Sequence, residues 1–573
     1  MYKQFKTTRI QPGILLALSA ITLAISAPAV LAQTTTEVQE AARQGEIRLR
    51  DERERLRVEQ ERNLRKTVPS GINLKQVLPR VDASQAKGVC HDISSISIKG
   101  AEMMDLDDRQ SVANDFVGRC LGAPDIEKLM GKLTQHYIER GFVTTRAYLP
   151  GQDLTTKKLE LLVVEGRIER LVVDGDVDGR VNLDTTLSAQ VGDLLNIRDL
   201  EQAVDQINSV SANKVKLDIQ PGSAPGKSVV VFRNQAASPV GLQVSMDNQG
   251  SESTGRDSAS TTLTLGGVLG LNENLSFTYR SSVPSSERAS SQSISAGLSL
   301  PMGYSTYGLN VSESKFSTGI PGKDWISSGK STTVGLTGER VLSRDQDGIH
   351  SVIYSLTSVD SKNYVNGSLV SVSSHRASTM SMGGKSTLNA LGGTLSLKSE
   401  LVLGLNDQSM AVSSSEAQPE FTKVTADINF SKRFELEANE FSWTSGFRAQ
   451  YSPELLLTTQ QISIGGLSSV RGFTQESISG DSGYYWRNEL ALHKQFSTGD
   501  SVVKTKFYAG YDMGSVNSNS DAGASGFLSG IVVGVNTQYK AASVDLSWTN
   551  AGKLNAGMTR EAAQTWLRVS FSL

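Results

Sequence analysis

From Pro239 to the C-terminus the chain alternates with period two. Val240, Leu242, Val244 and Met246 interleave with Gly241, Gln243, Ser245 and Asp247. Leu275, Phe277 and Tyr279 interleave with Ser276, Thr278 and Arg280, and Ile294, Ala296, Leu298 and Leu300 repeat the pattern. Leu567, Val569, Phe571 and Leu573 close the chain in the same way. One apolar and one polar face, in segments of about ten residues, predict transmembrane β-strands around a wet interior. Arg280 and Arg568 fall on the polar face, where a water-filled lumen tolerates charge and lipid does not. Residues 237–573 therefore read as a transmembrane β-barrel. Roughly 335 residues at about 20 per strand and loop give about 16 antiparallel strands, an even number. A soluble β-solenoid would carry a fixed short repeat, and none is visible.

Ahead of the barrel the texture is mixed. In residues 89–165, Ile93, Ile96 and Ile98 predict a strand ending at Gly100. A second element precedes Pro124-Asp125, which opens a helix running through Arg140. Ile126, Leu129, Met130, Leu133, Tyr137 and Ile138 sit at helical spacing, and Gly141 closes the helix. Val143–Leu149 and Lys158–Val164 read as two strands, giving the order strand, helix, helix, strand, strand. Residues 166–236 repeat that order, with strands at Ile168–Val173, Val215–Gln220 and Ser228–Arg233 and helices between Leu187 and Val210. Both are small α/β modules whose sheet edges can take up an extended segment by strand addition.

The N-terminus carries Lys3, Lys6 and Arg9, an apolar run from Ile14 to Ile25, and Val30-Leu31-Ala32. This predicts a secretory signal peptide over residues 1–32. The apolar run is too short to span a bilayer of ~30 Å as a helix, and no later run is longer. Residues 33–66 hold a charged helix, with Glu46/Arg50, Asp51/Arg55 and Glu61/Arg65 at i,i+4 and acid first. Residues 67–88, broken by Pro69, Gly71, Pro79 and Gly88, read as a linker. A helix so poor in apolar residues is either a solvated spacer or lodged in a polar lumen.

Hydrophobic residues make up only 38% of the chain, too few for several apolar cores, which agrees with a barrel. A net charge of −2 gives no basic face for nucleic acid. Cys90 and Cys120 are the only cysteines, and an even count in an exported chain favours a disulfide over two buried thiols. Gly383-Gly384-Lys385-Ser386 lacks the first glycine of a phosphate loop, because Thr379 stands there. The five histidines have no metal-ligand spacing, and no nucleophile elbow is present. Neither a catalytic group, nor a metal, nor a cofactor is expected.

The most specific stretch is Ile464–Phe473, read Ile-Gly-Gly-Leu-Ser-Ser-Val-Arg-Gly-Phe, followed by Asp481-Ser482-Gly483-Tyr484 and Arg487-Asn488-Glu489-Leu490. It resembles the sixth loop of outer-membrane translocators of the BamA superfamily, and most closely the two-partner-secretion branch. The resemblance implies a loop around residues 455–485 that folds into the lumen, with Val470, Arg471, Gly472 and Phe473 at its tip. It also implies that Gly510-Tyr511-Asp512-Met513-Gly514 supplies the barrel-wall partner, Asp512 facing Arg471 with Gly514 nearby. Asp247-Asn248-Gln249-Gly250 is similar to the branch's first hairpin. Gly-Phe-Val-Thr-Thr-Arg-Ala-Tyr-Leu-Pro, ending at Pro150, resembles its first POTRA module, residues 166–236 its second, and residues 33–66 its plug helix. The chain departs from the class at its end, where Leu573 stands in place of an aromatic residue.

This resemblance implies a non-enzymatic conduit in the Gram-negative outer membrane, with its POTRA modules in the periplasm. Its partners would be a large unfolded exoprotein, outer-membrane lipid and, during biogenesis, the barrel-assembly machinery, with no nucleic acid and a monomeric state. A BamA-like insertase is the alternative, but it usually carries more POTRA modules and no charged leading helix. A passive porin would need neither modules nor an arginine loop.

Overall fold

The computed structural model describes Gly45, residues 47–49 and residues 89–573, apart from 177–178, 406–416, 475, 500, 521–524 and 556. The signal segment, most of residues 33–66 and the linker lie outside the described residues.

The first module runs β1 (His91–Ile93), β2 (Ser95–Lys99), α1 (Leu106–Asn114), β3 (Arg119–Leu121), α2 (Ala123–Glu139), β4 (Arg146–Tyr148) and β5 (Lys158–Val164). Its main sheet has the order β2-β5-β4, with β2 and β5 parallel. The sequence predicts one strand over Ile93–Ile98, but Ser94 turns the chain, and β1 pairs separately with the unpredicted β3. The helical face of α2 buries Ile126, Leu129, Leu133 and Tyr137 against β5. Cys90 and Cys120 are joined across the β1–β3 pair, with Cα atoms 5.3 Å apart. The bridge closes a separation of 30 residues. Constraining a loop of that length in the unfolded chain is worth on the order of 3–4 kcal/mol.

The second module is β6 (Arg167–Asp174), α3 (Leu183–Thr186), α4 (Ile197–Asn208), β7 (Val215–Pro221) and β8 (Lys227–Asn234), with sheet order β6-β8-β7. The short α3 precedes the predicted helical span, whose first residue, Leu187, caps it. The two modules share a core: Ile138 and Val143 of the first pack with Leu195, Ile197, Leu200 and Phe232 of the second. Gly141 sits at the junction with φ +93°, and a Cβ there would lie 2.2 Å from Asn196 Oδ1. Only glycine combines the left-handed turn with that approach.

The remaining chain is a closed antiparallel barrel. Its strands are β9 (Val240–Asp247), β10 (Ser258–Gly266), β11 (Asn274–Ser282), β12 (Ala289–Met302), β13 (Ser305–Gly319), β14 (Ile326–Arg344) and β15 (Gly348–Val365). A two-residue β16 (Ser368–Leu369) hairpins onto β15. The series continues with β17 (His375–Ala390), β18 (Gly393–Leu405), β19 (Thr422–Leu436) and β20 (Asn439–Tyr451). Within the next loop β21 (Ile462–Ile464) pairs with β22 (Ile478–Gly480). The barrel resumes with β23 (Ser482–Thr498), β24 (Ser501–Asn517), β25 (Gly526–Tyr539), β26 (Ala542–Ala551) and β27 (Gln564–Ser572). Apart from the β16 and β21–β22 hairpins, 16 strands close the wall, the last, β27, pairing with β9. Outward positions such as Val334, Leu336, Met380 and Leu546 are exposed apolar side chains, as a lipid-facing surface requires. Inward positions are polar: Arg280 donates to both carboxylate oxygens of Asp247, at 3.0 and 2.7 Å.

The second module is docked on one end of the barrel. Arg344, at the end of β14, donates to Gln202 (2.8 Å) and Asp205 (2.7 Å) of α4. Gln202 and Gln206 donate to the carbonyl of Gly303 in the β12–β13 turn. Asn272, in the β10–β11 turn, donates to the carbonyl of Asn182. These turns mark the end facing the modules, so the loops at the other end face outward from the cell.

Candidate functional site

Counting barrel loops at that far end, residues 452–481 between β20 and β23 form the sixth. Its limbs rise and return through the β21–β22 hairpin, and its tip lies inside the barrel. Lys423 on β19 holds the rising limb, donating to the carbonyl of Gln460 at 2.8 Å. Asp481, with no exposed surface, accepts from the backbone N–H of Leu456 (2.8 Å) and of Asn519 (2.7 Å). A carboxylate serving two loops in this way ties the base of the sixth to the seventh.

The tip is an apolar cluster around an ion pair. Val470 and Phe473 are buried with Ile464, Ile478, Tyr485, Val516, Leu528 and Ala551, the last four from the wall. Between them Arg471 turns its guanidinium onto β24. Nε donates to Asp512 Oδ2 at 2.6 Å and Nη2 to Oδ1 at 2.9 Å, a bidentate pair. The Arg471 backbone N–H adds a third bond to Asp512 Oδ2, at 3.1 Å. Nη1 reaches Glu489 on β23 at 3.0 Å, and Lys506 on β24 donates to the other oxygen of Glu489 at 2.9 Å. The Asp512 side chain is wholly buried and that of Arg471 is 9% exposed. Charges removed from water this far require such a complete set of partners.

Small residues make the contact possible. Gly472 has φ +113°, and a Cβ there would stand 2.7 Å from the backbone of Asn550 on β26. Gly510 and Gly530 on the wall leave room for Arg471, since a Cβ on Gly530 would lie 1.8 Å from the Arg471 carbonyl oxygen. Gly514 similarly accommodates Ile464 of the loop hairpin. Beyond the tip, the backbone N–H groups of Thr474 (2.8 Å) and Glu476 (2.9 Å) donate to Glu561, in the loop before β27.

The structure thus brings together Val470, Arg471, Gly472, Phe473, Asp512 and Gly514, and sets Cys90 and Cys120 apart in the first module. Sequence reasoning quoted Glu489 and Asp481 without giving them a role and missed Lys506, Glu561 and the Arg344 contacts. Strand alternation puts Glu489, Asp512 and Lys506 on the inward face, which is the signal that was available. The Lys385 of the false phosphate loop lies mid-strand on β17 and bonds Glu339 at 2.8 Å. Among the described residues, no three His, Cys, Asp or Glu side chains are grouped to hold a metal ion.

Near the inner wall, residues 47–49 are helical and Leu49 is buried. Arg48 lies over the Phe316 ring at 5.8 Å, and a Cβ on Gly45 would be 2.8 Å from Asn363 Oδ1. Phe316 and Asn363 are inward residues of β13 and β15, so this helical piece touches the lumen wall.

A 16-stranded barrel with two periplasmic α/β modules and an arginine loop locked inside it defines an outer-membrane translocator of the POTRA-bearing class. Residues 226–537 match the family described as haemolysin secretion/activation protein ShlB/FhaC/HecB. Residues 91–166 match the ShlB-type POTRA domain and 167–221 a POTRA domain. The chain belongs to this family of two-partner-secretion transporters, outer-membrane proteins with periplasmic POTRA domains and a secreted protein as partner. Among its relatives, the outer membrane transporter CdiB of Escherichia coli is 30% identical over 90% of this chain and 86% of its own. The hemolysin transporter protein ShlB of Serratia marcescens is 28% identical over 86% and 88%. The solved structure of CdiB from Escherichia coli superposes with a TM-score of 0.82 at 28% identity, covering 95% of this chain and all of that one. These relatives are transporters by description.

Proposed function

We propose that Arg471 is the lock of the conduit. A large unfolded exoprotein engages the POTRA pair by strand addition, enters the lumen as the leading helix (residues 33–66) withdraws, and folds at the cell surface. The observation that carries this reading is the Arg471–Asp512–Glu489 contact, which holds a loop inside a barrel that two modules feed. A passive pore has no use for a buried bidentate pair on a loop tip. The energy comes from cargo folding outside, because the periplasm holds no ATP. The chain works as a monomer surrounded by outer-membrane lipid, is inserted by the barrel-assembly machinery and is not itself catalytic. An insertase of the BamA type is disfavoured by the family match and by the pair of modules.

The test is co-expression with a large secreted protein of the two-partner type as candidate exoprotein, in a host lacking both. Exoprotein should reach the surface only when the transporter is present, and deletion of residues 91–221 should retain it in the periplasm. Surface exoprotein at equal levels without the transporter, or with the modules deleted, would overturn the assignment.

A further inference from the structure

The outer wall carries charge where the lipid-facing pattern predicts apolar or neutral residues. On β13, β14 and β15 the outward positions Val311, Val334 and Leu356 are exposed apolar side chains. Four to six residues nearer the cell exterior, the same faces present Lys315, Lys330 and Lys362. Lys315 stands directly opposite Lys330, and Lys330 opposite Lys362. Asp360 faces Arg376 on the next strand, β17. Like charges set directly opposite each other across a ladder repel. Here Glu313 bridges Lys315 (2.8 Å) and Lys330 (2.7 Å), and Asp360 lies 3.8 Å from Lys362 and 3.5 Å from Arg376. The three lysines share Glu313 and Asp360, and Asp360 also serves Arg376, so the lysine row carries more positive than negative charge. The three lysines are all about half exposed, so the cluster is not a buried structural network.

Its height is informative. Four residues at about 3.3 Å rise, on strands tilted by about 40°, place the row roughly 10 Å beyond Val311 and Val334. That is the level of the headgroups of the outer leaflet rather than of its acyl chains. A groove of about 570 Å³ opens there, lined by Tyr279, Gln292, Ser328, Tyr364, Lys315 and Lys330. Its hydroxyl and amide groups suit sugar hydroxyls, and its ammonium groups suit phosphate. The opposite side of the barrel differs: near the exterior ends of β23 and β24, Tyr484, Trp486 and Met513 face outward. That sector presents aromatic and apolar side chains where β13 to β15 present lysines.

We propose that the Lys315–Lys330–Lys362 row and its groove are a docking site for the phosphorylated saccharide headgroup of an outer-leaflet glycolipid of the lipid A type. The phosphate neutralises the opposed lysines, and the sugar ring lies in the groove against Tyr279 and Gln292. This anchors the β12–β15 sector in the leaflet while the sector bearing the sixth loop is left to move.

The test uses full-length protein in detergent, with bisphosphorylated lipid A added and retention after gel filtration counted by native mass spectrometry. Wild-type protein should retain the lipid. The triple variant Lys315→Gln, Lys330→Gln, Lys362→Gln should need at least tenfold more lipid for equal retention, while keeping its heat-modifiable migration. Lipid A stripped of phosphate should bind wild type as poorly as the intact lipid binds the variant. Equal retention by wild type and variant would overturn the site. So would wild-type retention that is the same for phosphatidylglycerol, or that is abolished by millimolar inorganic phosphate. Where the triple variant fails to reach the folded form, Lys330→Gln alone provides the comparison, since it removes the central charge of the row.

Discussion

Replacing Arg471 by alanine tests the lock most directly. The substitution removes two guanidinium bonds to Asp512, at 2.6 and 2.9 Å, and leaves that carboxylate with the Arg471 backbone N–H alone from the tip. Asp512 is fully buried in the docked state, so its carboxylate loses the donors that offset that burial. Glu489 keeps Lys506 and suffers less. Removing one partner of a buried pair costs on the order of 3–5 kcal/mol. At about 1.4 kcal/mol per tenfold, the docked tip is disfavoured by about 140- to 3,700-fold. The barrel itself is held by 16 strands and loses no ladder bond. Arg471→Ala should therefore insert as a heat-modifiable barrel and fail to secrete its exoprotein. Asp512→Ala should match it, and the double variant should be no worse than either single, because both remove one interaction. Arg471→Lys should rescue poorly, since an ammonium cannot make the two-pronged contact. The assay is exoprotein in the medium alongside unheated and heated gel migration. Wild-type secretion by a normally inserted Arg471→Ala barrel would refute the reasoning.

Reducing the Cys90–Cys120 bridge, or replacing both residues by serine, should destabilise the first module by on the order of 3–4 kcal/mol and leave the barrel intact; urea unfolding of the full chain, followed by helix ellipticity with and without reductant, reads this. Gly45→Phe should crowd Asn363 and Phe316 and raise single-channel conductance in planar bilayers, and an unchanged conductance would mean that the leading helix does not obstruct the lumen. Burial, reinforced by Arg140, holds the His136 imidazole below its usual pKa, so the unfolded chain takes up this proton more readily. The stability that neutral His136 contributes is then full above about pH 6.5 and lost as pH falls below it; urea midpoints between pH 5 and 8 should show that slope, and His136→Asn should flatten it.

The barrel was legible because strands such as β9, β11, β12 and β27 alternate apolar and polar residues over a stretch long enough to stand out. Three-residue strands such as β1 and β3 offer no period to read, and β4 is shorter than predicted because Thr145 turns back to bond the carbonyl of Phe142. The disulfide was favoured by cysteine count, but the β3 strand that carries Cys120 was not foreseen.

The site was legible in part, for a different reason. Periodicity assigns a face, and on the inward face Glu489, Lys506 and Asp512 look like any of the charges that a wet lumen carries. What separates them from Arg280 and Asp247, which pair within the wall and are as buried, is a visitor: a loop of some 30 residues that enters from the far end and brings Arg471 to them. Nothing in the alternation of residues 452–481 says whether that loop points out or in, and only the Val470–Phe473 string carries that information. Glycine spacing is the physical trace that remains in the wall. Gly510, Gly514 and Gly530 stand on adjacent strands just where a side chain would collide with the tip. In a lipid-embedded strand a glycine forfeits packing on either face. Three of them gathered beside one inward aspartate therefore mark the place where the wall was shaped to receive a loop.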